Sequence, residues 1–476
     1  LVARFRARLG SAVGLLHSGL TEAERLREWS RVRGGDAPVA IGARSAIFAP
    51  VARLGMVVVD EEHDSSFKQE DGFRYNARDL ALLRAQRAGA TAVLGSATPS
   101  LETSYNADAG KLERLVLPRR VTPKPLPRVE VVDLKRHRSG PGGQSVVTEP
   151  VLSALRQAVG AGEQGIVFLN RRGYAPVAVC ASCGEPVRCL GCSVALTYHS
   201  RTDLLECHYC AFTRPVPSLC PDCGAGSLRL VGAGTERAEE TLSALLGEGV
   251  RIGRLDSDVA PGRASEPVLD RVRSGETDVL VGTQMVTKGH DLPGVTVVAV
   301  LLADASLHLP DFRAAERTFQ LLTQVAGRAG RGSVEGHVLV QTYDASHPAI
   351  RHAVDHDYAG FYESELEARR ELGYPPFSHM AAIRLSATAE PRARAEAERL
   401  GEIARRLRPV RSGEVTVTGP AEAPIAMIRN RYRFRLMLRA PERPPLRRAL
   451  KALEPAVDRP PADVRVAFDV DPVSLL

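Results

Sequence analysis

The sequence predicts an α/β protein with two parallel-sheet lobes, a cysteine-rich insertion in the second lobe and a small α+β domain after it. Apolar strand-like segments such as Met56–Val59 alternate with charged, helix-like segments, which is typical of a parallel sheet covered by helices. All 8 cysteines lie in one short block. After residue 365 come apolar strands and helices rich in arginine, glutamate and alanine, a pattern that favours an α+β domain.

The composition indicates a folded protein of several domains. The chain has 476 residues, of which 44% are apolar and 25% are charged, and it exceeds what one hydrophobic core usually supports. The net charge of +7 suits a polyanionic partner, although charge alone favours nucleic acid only modestly. No apolar run approaches the roughly 20 residues that span a bilayer, and no signal peptide opens the chain. We therefore expect a cytoplasmic protein with no membrane partner.

The order of segments divides the chain into predicted units. Between Leu117 and Gly143, closely spaced prolines and glycines argue against continuous regular structure. The predicted units are a first lobe at 1–117, a linker or connecting strand at 118–147, a second lobe at 148–178 and 228–350, a cysteine-rich module at 179–227 and an α+β domain at 365–476. The chain opens on Leu1 rather than on a methionine, so we expect the first lobe to be truncated.

The cysteine block predicts two structural zinc ions. Its spacing, C-x2-C-x5-C-x2-C-x14-C-x2-C-x9-C-x2-C, supplies four CxxC knuckles, and four thiolates from two knuckles complete one tetrahedral site. Disulfides and iron–sulfur clusters are the alternatives, but cytoplasmic chains rarely keep the former and the latter usually show other spacings. His199 and His208 are interpreted as exposed or packing residues. The predicted ligands are Cys180, Cys183, Cys189, Cys192, Cys207, Cys210, Cys220 and Cys223.

A nucleotide site is predicted where the strand Met56–Val59 runs into four polar residues. Ligands of parallel α/β sheets bind at the carboxyl ends of the strands. We expect Asp60 to hold phosphate-bound magnesium, directly or through water, and Glu61 to position and deprotonate the attacking water. Glu62 and His63 complete the candidate catalytic group in this lobe. The alternative interpretation is a solvated acidic turn.

Two further motifs favour the nucleotide interpretation. Ser96, Ala97 and Thr98 follow a second strand, where small hydroxyl residues can couple a nucleotide site to a DNA groove. In the second lobe, a Gly-Thr-Gln segment leads to the KGHD segment that contains Gly289 and Asp291. We predict that these residues bind the nucleotide or couple its hydrolysis to DNA.

A fourth motif, QVAGRAGR, supplies candidate arginine fingers. It lies on a helical pattern that places Arg328 and Arg331 about one turn apart and so on one face. Two such guanidinium groups can reach a transferring phosphoryl group across a domain cleft, and Gln324 is expected to contact the nucleotide. Four motifs in this order across two α/β lobes predict a nucleic-acid-dependent motor.

The segment Phe67–Tyr75 is interpreted as a DNA-binding loop. Its rings, on Phe67, Phe73 and Tyr75, can stack on the bases of a single strand, while Lys68 and Arg74 meet phosphates. The alternative is that the two phenylalanines are buried anchors of a surface loop.

Over essentially its full length, the chain resembles the PriA family of replication-restart helicases, which belong to superfamily 2. The resemblance is carried by the cysteine spacing and by LHSGLTEAERLREW, IGARSAIFAP, DEEHDSSFKQEDGFRYNARDLA, GSATPSLET, FLNRRGYA, GTQMVTKGHDLPGV and QVAGRAGR. It implies two RecA-like lobes and an ATP-driven 3′ to 5′ DNA helicase that recognises stalled or branched forks and promotes primosome assembly. It also implies single-strand-binding protein and helicase-loading proteins as partners, and a nucleoid-associated location.

The resemblance also bears on individual residues. It implies a DNA-backbone contact for Arg44, an aromatic loop that links DNA binding to hydrolysis, and nested pairing of the outer and of the inner cysteine knuckles. In this family a Walker A loop precedes the segment where this chain begins, and nothing in the 476 residues matches G-x4-G-K-[ST]. We therefore expect the chain by itself to hydrolyse ATP poorly or not at all.

Two alternative functions stay open on the sequence. Another superfamily 2 translocase, such as a branch-migration motor, is disfavoured by the inserted cysteine module. A zinc-stabilised DNA-binding scaffold for primosome assembly, without ATPase activity, is favoured only by the missing Walker A match.

Overall fold

The computed structural model describes residues 2–118, 125–137, 147–169, 177–190, 195–199, 202–207, 210–226, 228–231, 235–255, 266–283, 286, 292–330, 334–458 and 460–475. The chain divides into two compact units, Leu1–Leu112 and Glu113–Leu476. Within the described ranges, no helix combines the length and the apolar character that crossing a bilayer requires.

The first unit is built from two parallel strand pairs and four α-helices. Its elements are α1 (Val2–Leu9), β1 (Val13–Leu16), α2 (Glu22–Gly34), β2 (Val39–Gly42), β3 (Met56–Asp60), α3 (Ala77–Ala88), β4 (Thr91–Gly95) and α4 (Leu101–Asp108). Strand β1 pairs with β2 and β3 pairs with β4, both in parallel. Helix α2 begins at a capping box formed by Thr21 and Glu24 and ends at Gly35, whose φ of 90° is left-handed.

The second unit contains a six-stranded parallel sheet. Its strands, in spatial order, are β12 (Ile252–Leu255), β13 (Val279–Gly282), β6 (Gln164–Leu169), β14 (Val295–Leu301), β15 (His337–Thr342) and β5 (Arg128–Asp133). Both β6 and β14 are buried along their whole length, as expected for central strands that are covered on both faces. The edge strand β5 lies within the segment that the sequence predicts as a linker or connecting strand.

Helices surround and extend this sheet. They are α5 (Glu149–Gly160), α6 (Thr235–Leu246), α7 (Glu266–Arg273), α8 (Asp304–Leu307), α9 (Ala314–Ala326), α10 (Pro348–Val354) and α11 (Tyr358–Leu372). Leucines and valines of α5 and α6 pack with those of the central strands in one core. The predicted α/β class is confirmed by this parallel sheet.

The cysteine-rich module is inserted between β6 and the next strand of the parallel sheet, β12. It forms a five-stranded sheet in the order β10 (Thr213–Pro215), β9 (Leu204–Glu206), β8 (Thr197–His199), β7 (Val177–Cys180) and β11 (Leu228–Val231). All four neighbouring pairs are antiparallel. The module therefore begins and ends on the adjacent strands β7 and β11, which explains how it can be inserted without breaking the parallel sheet.

A glycine allows the module to lie directly against the parallel-sheet lobe. Gly184, which follows the first CxxC knuckle, has a φ of +82°, and a Cβ at this position would lie 2.3 Å from the carbonyl oxygen of Tyr343. A side chain is excluded both by the left-handed backbone and by this close approach.

The last part of the chain forms the α+β domain that the sequence predicts. Its antiparallel sheet has the order β17 (Thr416–Ile428), β18 (Arg431–Ala440), β16 (His379–Ala387) and β19 (Arg465–Val470). Helices α12 (Glu390–Arg406) and α14 (Arg443–Val457), together with the short α13 (Arg408–Arg411), complete it. Alanines and leucines of α12 and α14 pack on alternate residues of β16 and β18 in a continuous core.

Candidate functional site

The two acidic residues predicted to act on nucleotide lie at the carboxyl end of strand β3. Asp60 is the last residue of β3, and it stands opposite Gly95 at the end of the parallel strand β4. Glu61 turns the chain away from the strand with a left-handed φ of 49°, a conformation that costs a non-glycine residue about 1–3 kcal/mol and often marks functional positions. The side chains of both residues are exposed, so solvent and ligands can reach them.

His63 links this acidic turn to the segment that follows β4. Its Nδ1 lies 2.7 Å from Ser96 Oγ and 3.7 Å from a carboxylate oxygen of Glu61. Ser96 Oγ in turn accepts a hydrogen bond of 3.0 Å from the backbone N–H of Thr98, which is buried. Ala97 between them is exposed. Glu61 and His63 of one motif are thus brought together with Ser96 and Thr98 of the other.

Glu62 has a different environment from its neighbours. It is 2% exposed, and its carboxylate accepts hydrogen bonds from the Ser100 N–H at 2.6 Å and from Thr103 Oγ1 at 2.9 Å. Arg78 lies 3.3 Å from the same carboxylate. Because its carboxylate is enclosed by these groups, we propose that Glu62 positions the turn, and its catalytic role stays a prediction.

We expect the Glu62→Gln variant to destabilise the first unit by about 3 kcal/mol, because it leaves the guanidinium of Arg78 without its buried counter-charge. Asp79→Asn is the matched control, since Asp79 pairs with the same arginine from a side chain that is 52% exposed, and it should cost no more than about 0.5 kcal/mol. Differential scanning calorimetry of thermal unfolding measures the stability of both variants. Equal stability of the two variants would contradict the positioning role.

The predicted DNA-binding loop forms an exposed aromatic cluster. The loop is closed by a hydrogen bond of 2.7 Å from the Gln69 N–H to the Tyr75 carbonyl. At its tip Phe73 is 77% exposed and stacks on Tyr75, with ring centroids 6.0 Å apart. Tyr75 also makes an edge contact of 5.0 Å with Phe48, an exposed residue that the sequence did not single out. Phe48 is far from the loop in the sequence, and only its contact with Tyr75 in the structure identifies it as part of this surface.

Three other residues of the predicted DNA site are hydrogen-bonded or buried within the first unit. Arg44 donates hydrogen bonds from Nη1 to the carbonyls of Ser66, at 3.1 Å, and Lys68, at 2.6 Å, so its guanidinium holds the loop backbone. The side chain of Lys68 is 5% exposed, which is at odds with the phosphate contact predicted for it. Phe67 is half-buried, in agreement with the alternative that it anchors the loop.

The motif QVAGRAGR is only partly helical. Helix α9 ends at Ala326, so Gln324 lies in its last turn and Arg328 in the hydrogen-bonded turn that follows. Gly330, with a φ of +69°, packs so closely on Gly336 that an added Cβ would lie 2.5 Å from its nitrogen. The helix therefore ends before Arg328, and the shared face predicted for Arg328 and Arg331 stays a prediction. Arg331, Gly289 and Asp291 lie outside the described residues.

The cysteines form two groups whose geometry fits tetrahedral metal binding. The sulfurs of Cys180, Cys183, Cys220 and Cys223 all lie within 4.8 Å of one another, as do those of Cys189, Cys207 and Cys210. The eighth cysteine, Cys192, lies outside the described residues.

The closest sulfur–sulfur distances distinguish between a metal and a disulfide. Cys180 and Cys223, Cys183 and Cys220, and Cys189 and Cys210 are each 3.6 Å apart. A disulfide would bring the sulfurs to about 2.05 Å, whereas Zn–S bonds of about 2.3 Å in a tetrahedron separate them by about 3.8 Å. The described cysteines therefore fit zinc, in the nested arrangement that the resemblance implied.

Three knuckles have both of their cysteines among the described residues, and they share one backbone hydrogen bond. In each, the residue after the second cysteine donates its N–H to the carbonyl of the first, as Gly184, Ala211 and Gly224 do at 2.8–2.9 Å. These three residues all have a left-handed φ, between 61° and 82°. A left-handed φ favours glycine, which accounts for Gly184 and Gly224 directly after their CxxC pairs.

Comparison with known families assigns three parts of the chain. Residues 370–473 match the primosomal protein N C-terminal domain, residues 189–215 match the PriA DNA helicase Cys-rich region domain, and residues 230–333 match the helicase conserved C-terminal domain. Among solved structures, RecG bound to a three-way DNA junction is similar at 18% identity and a TM-score of 0.38, covering 77% of this chain and 37% of that one.

Two curated relatives are similar along the whole chain. The replication restart protein PriA of Bacillus subtilis is 40% identical over 479 residues, which cover 100% of this chain and 59% of that protein. The chain thus spans about three fifths of this relative. The replication restart protein PriA of Treponema pallidum is 40% identical over 98% of this chain and 70% of its own length. The chain therefore belongs to the PriA family of replication restart proteins.

Proposed function

We propose that the chain is the motor core of an ATP-dependent DNA helicase that moves 3′ to 5′, recognises stalled or branched replication forks and promotes primosome assembly. The observation that carries this proposal is the similarity to PriA proteins along nearly the whole of this chain. The geometry of the first unit supports it, because the exposed carboxylates of Asp60 and Glu61 lie at the carboxyl end of a parallel strand, and His63 lies between Glu61 and Ser96.

In this proposal, Asp60 binds the magnesium ion of Mg·ATP and Glu61 accepts a proton from the attacking water. Carboxylate oxygens are the ligands that magnesium prefers, and a base next to an in-line water is the recurrent arrangement in phosphoryl transfer. His63 orients Glu61 and couples it to Ser96 and Thr98. We propose arginine-finger roles for Arg328 and Arg331. Contacts to nucleotide, or coupling of its hydrolysis to DNA, are proposed for the remaining motif residues, which are Ala97, Gln324, Gly289 and Asp291.

DNA is proposed to bind the exposed aromatic cluster of the first unit. Phe73 and Phe48 expose their rings to solvent on either side of the half-buried Tyr75, and such rings stack on bases without regard to sequence. Arg74 is close to these rings in the chain and is proposed to meet a phosphate. Arg44 contributes indirectly by fixing the loop backbone.

We expect Phe73→Ala to weaken binding of single-stranded DNA by about 1–3 kcal/mol, the usual contribution of one stacked base. Because the ring is 77% exposed, thermal stability should not change. Fluorescence anisotropy with a labelled oligonucleotide measures the affinity, and Leu83→Ala, which removes a side chain that is 40% exposed, serves as a control. Unchanged affinity of the Phe73 variant would show that the aromatic cluster does not stack on DNA.

The two cysteine groups are proposed to hold one structural zinc ion each. The proposed ligands of the outer ion are Cys180, Cys183, Cys220 and Cys223, and those of the inner ion are Cys189, Cys192, Cys207 and Cys210. Metal binding would supply most of the folding free energy of this small module. Single-strand-binding protein and helicase-loading proteins are the proposed protein partners, and the nucleoid in the cytoplasm is the proposed location.

The proposed function is tested by the rate of ATP hydrolysis of the complete gene product that carries this chain, with and without forked DNA. DNA-stimulated turnover is expected. Fork binding without any turnover would instead favour the zinc-stabilised assembly scaffold.

A further inference from the structure

A short segment after the last strand lies between three parts of the second unit. This segment, Asp471–Leu475, follows β19 and is called the strap here. Leu475 is 3% exposed. It packs in one apolar cluster with Met380, Ala382 and Met437 of the α+β domain and with residues of the cysteine-rich module such as Leu196. One side chain thus joins the cores of two parts that are far apart in sequence.

The strap is also bound to the segment that precedes helix α9. Asp311, 4% exposed, accepts hydrogen bonds from the Leu475 N–H at 3.0 Å and from Arg317 Nη1 at 2.9 Å. Arg317 also donates to the carbonyl of Val473. Burial by itself raises the pKa of Asp311, but Arg317 and the surrounding N–H donors outweigh it and hold this pKa below its usual range. The carboxylate therefore stays charged as an acceptor.

The α+β domain holds the opposite side of the strap. Arg384 donates from Nη2 to the carbonyl of Ser474 at 2.7 Å, and Arg435 donates to the carbonyl of Leu475. Arginines on both sides of the strap donate to its carbonyls, and the Asp311 carboxylate accepts from its backbone N–H. Such charge-assisted hydrogen bonds are about twice as strong as neutral ones. The strap is therefore an ordered connection between the α+β domain and the entry to α9.

A second buried contact fixes the first turn of α9. Arg369 of α11 lies 2.7 Å from Glu316, and their side chains are 2% and 4% exposed. Beside this pair, the ring of Phe312 stacks on Tyr374 with centroids 4.8 Å apart and planes 5° from parallel. The start of α9 is thus held by the strap and by the helix that leads into the α+β domain.

The other end of α9 carries Gln324 and leads to Arg328. A helix of 13 residues spans about 20 Å and moves as one body when it is packed along its length. The contacts at its first turn, which touch no nucleotide, therefore set the place of the motif residues at its last turn.

We propose that the strap and Asp311 are positioning elements that tie helix α9, and with it Gln324 and Arg328, to the α+β domain and the cysteine-rich module. Stimulation of ATP hydrolysis by DNA requires α9 to be held in this place, so it requires the strap. This inference rests on the proposed function.

The test is ATP hydrolysis by the complete gene product with Leu475→Asp, without DNA and with saturating forked DNA. An aspartate cannot remain in the apolar cluster, so the strap should detach. The expected result is a loss of roughly tenfold in the DNA stimulation factor, within the range typical of coupled sites. The basal rate, the zinc content and the dissociation constant for the fork should be unchanged. Leu475→Met should restore stimulation, and Leu372→Ala, at a site that is 52% exposed, is the control.

If Leu475→Asp fails to fold, Asp311→Asn provides a second test of the same inference. It preserves shape but removes the charge that Arg317 and the strap share, and it should also lower stimulation by DNA at least severalfold. Full stimulation in a folded Leu475→Asp variant, or in Asp311→Asn when the former does not fold, would overturn this inference alone. Absence of DNA stimulation in the wild type would instead contradict the proposed function, and this inference with it.

Discussion

Replacing Glu61 with glutamine is expected to lower DNA-stimulated ATP hydrolysis by about 10²–10⁴-fold, the usual contribution of a positioned general base. Glutamine has the same size and keeps a polar oxygen, but it cannot accept the proton of the attacking water. The Glu61 side chain is 51% exposed, so the change leaves no charge buried without a partner. We expect ATP binding, fork binding and thermal stability to stay at the level of the wild type.

The control for this variant is Glu70→Gln in the neighbouring loop, where the carboxylate is also exposed. It should hydrolyse ATP at the wild-type rate. A steady-state phosphate-release assay on the complete gene product, at saturating ATP and forked DNA, compares the three proteins. Hydrolysis by Glu61→Gln within a few fold of the wild type would assign the base to another residue.

Replacing Cys180 with serine is expected to remove one of two zinc ions and to unfold the outer part of the cysteine-rich module. Structural zinc sites contribute about 10–16 kcal/mol of apparent binding free energy at neutral pH, and serine is a poor substitute for a soft thiolate ligand. Zinc content, measured by atomic emission spectroscopy, should fall from two ions per chain to one. Ser182→Ala, in the same knuckle, should retain both.

The same variant tests the nested pairing. If Cys180 shares its ion with the last knuckle, loss of that ion should expose Cys220 and Cys223 to thiol reagents while Cys189, Cys207 and Cys210 stay protected. Mass spectrometry after alkylation identifies which cysteines react. Protection of Cys220 together with reaction of Cys189 would mean that the metal pairs follow the order of the sequence. Iron in place of zinc, with visible absorption, would favour a cluster instead.

The sequence predicted the fold class because its periodicity is local. Continuous apolar runs such as Val295–Leu301 are buried central strands, and the acidic residues after Met56–Asp60 lie at the carboxyl end of a parallel strand, as the topology requires. The cysteine spacing was equally informative, because a CxxC followed by a glycine specifies a knuckle turn within a few residues. Each of these signals depends on neighbours in the chain.

The sequence could not reveal the environments that distant segments create around individual side chains. Glu62 lies among acidic residues in the sequence, but its carboxylate is buried by groups from α3 and the start of α4. Lys68 stands between aromatic residues in a loop, yet it is buried. Helix α9 ends before Arg328, and Gly330 packs on the segment that precedes β15. A local pattern cannot reveal which segment will cover a side chain.

The contacts of the strap could not be predicted from the sequence either. Asp311 and Leu475 are separated by 164 positions, and Glu316 and Arg369 by 53. Neither pair belongs to a motif, and ion pairs buried between helices have no local signature. Such contacts become visible only when packing is known, although they determine where the motif residues at the end of α9 lie.

The proposed function requires the complete gene product to separate DNA strands in the 3′ to 5′ direction. The most direct measurement is release of a labelled strand from two partial duplexes, one with a 3′ single-stranded tail and one with a 5′ tail, by the complete gene product with ATP. We predict rapid release from the 3′-tailed duplex, little from the 5′-tailed duplex, and none by Glu61→Gln. If fork binding is retained but the protein releases a strand from neither duplex, or only from the 5′-tailed one, it is not a 3′ to 5′ helicase.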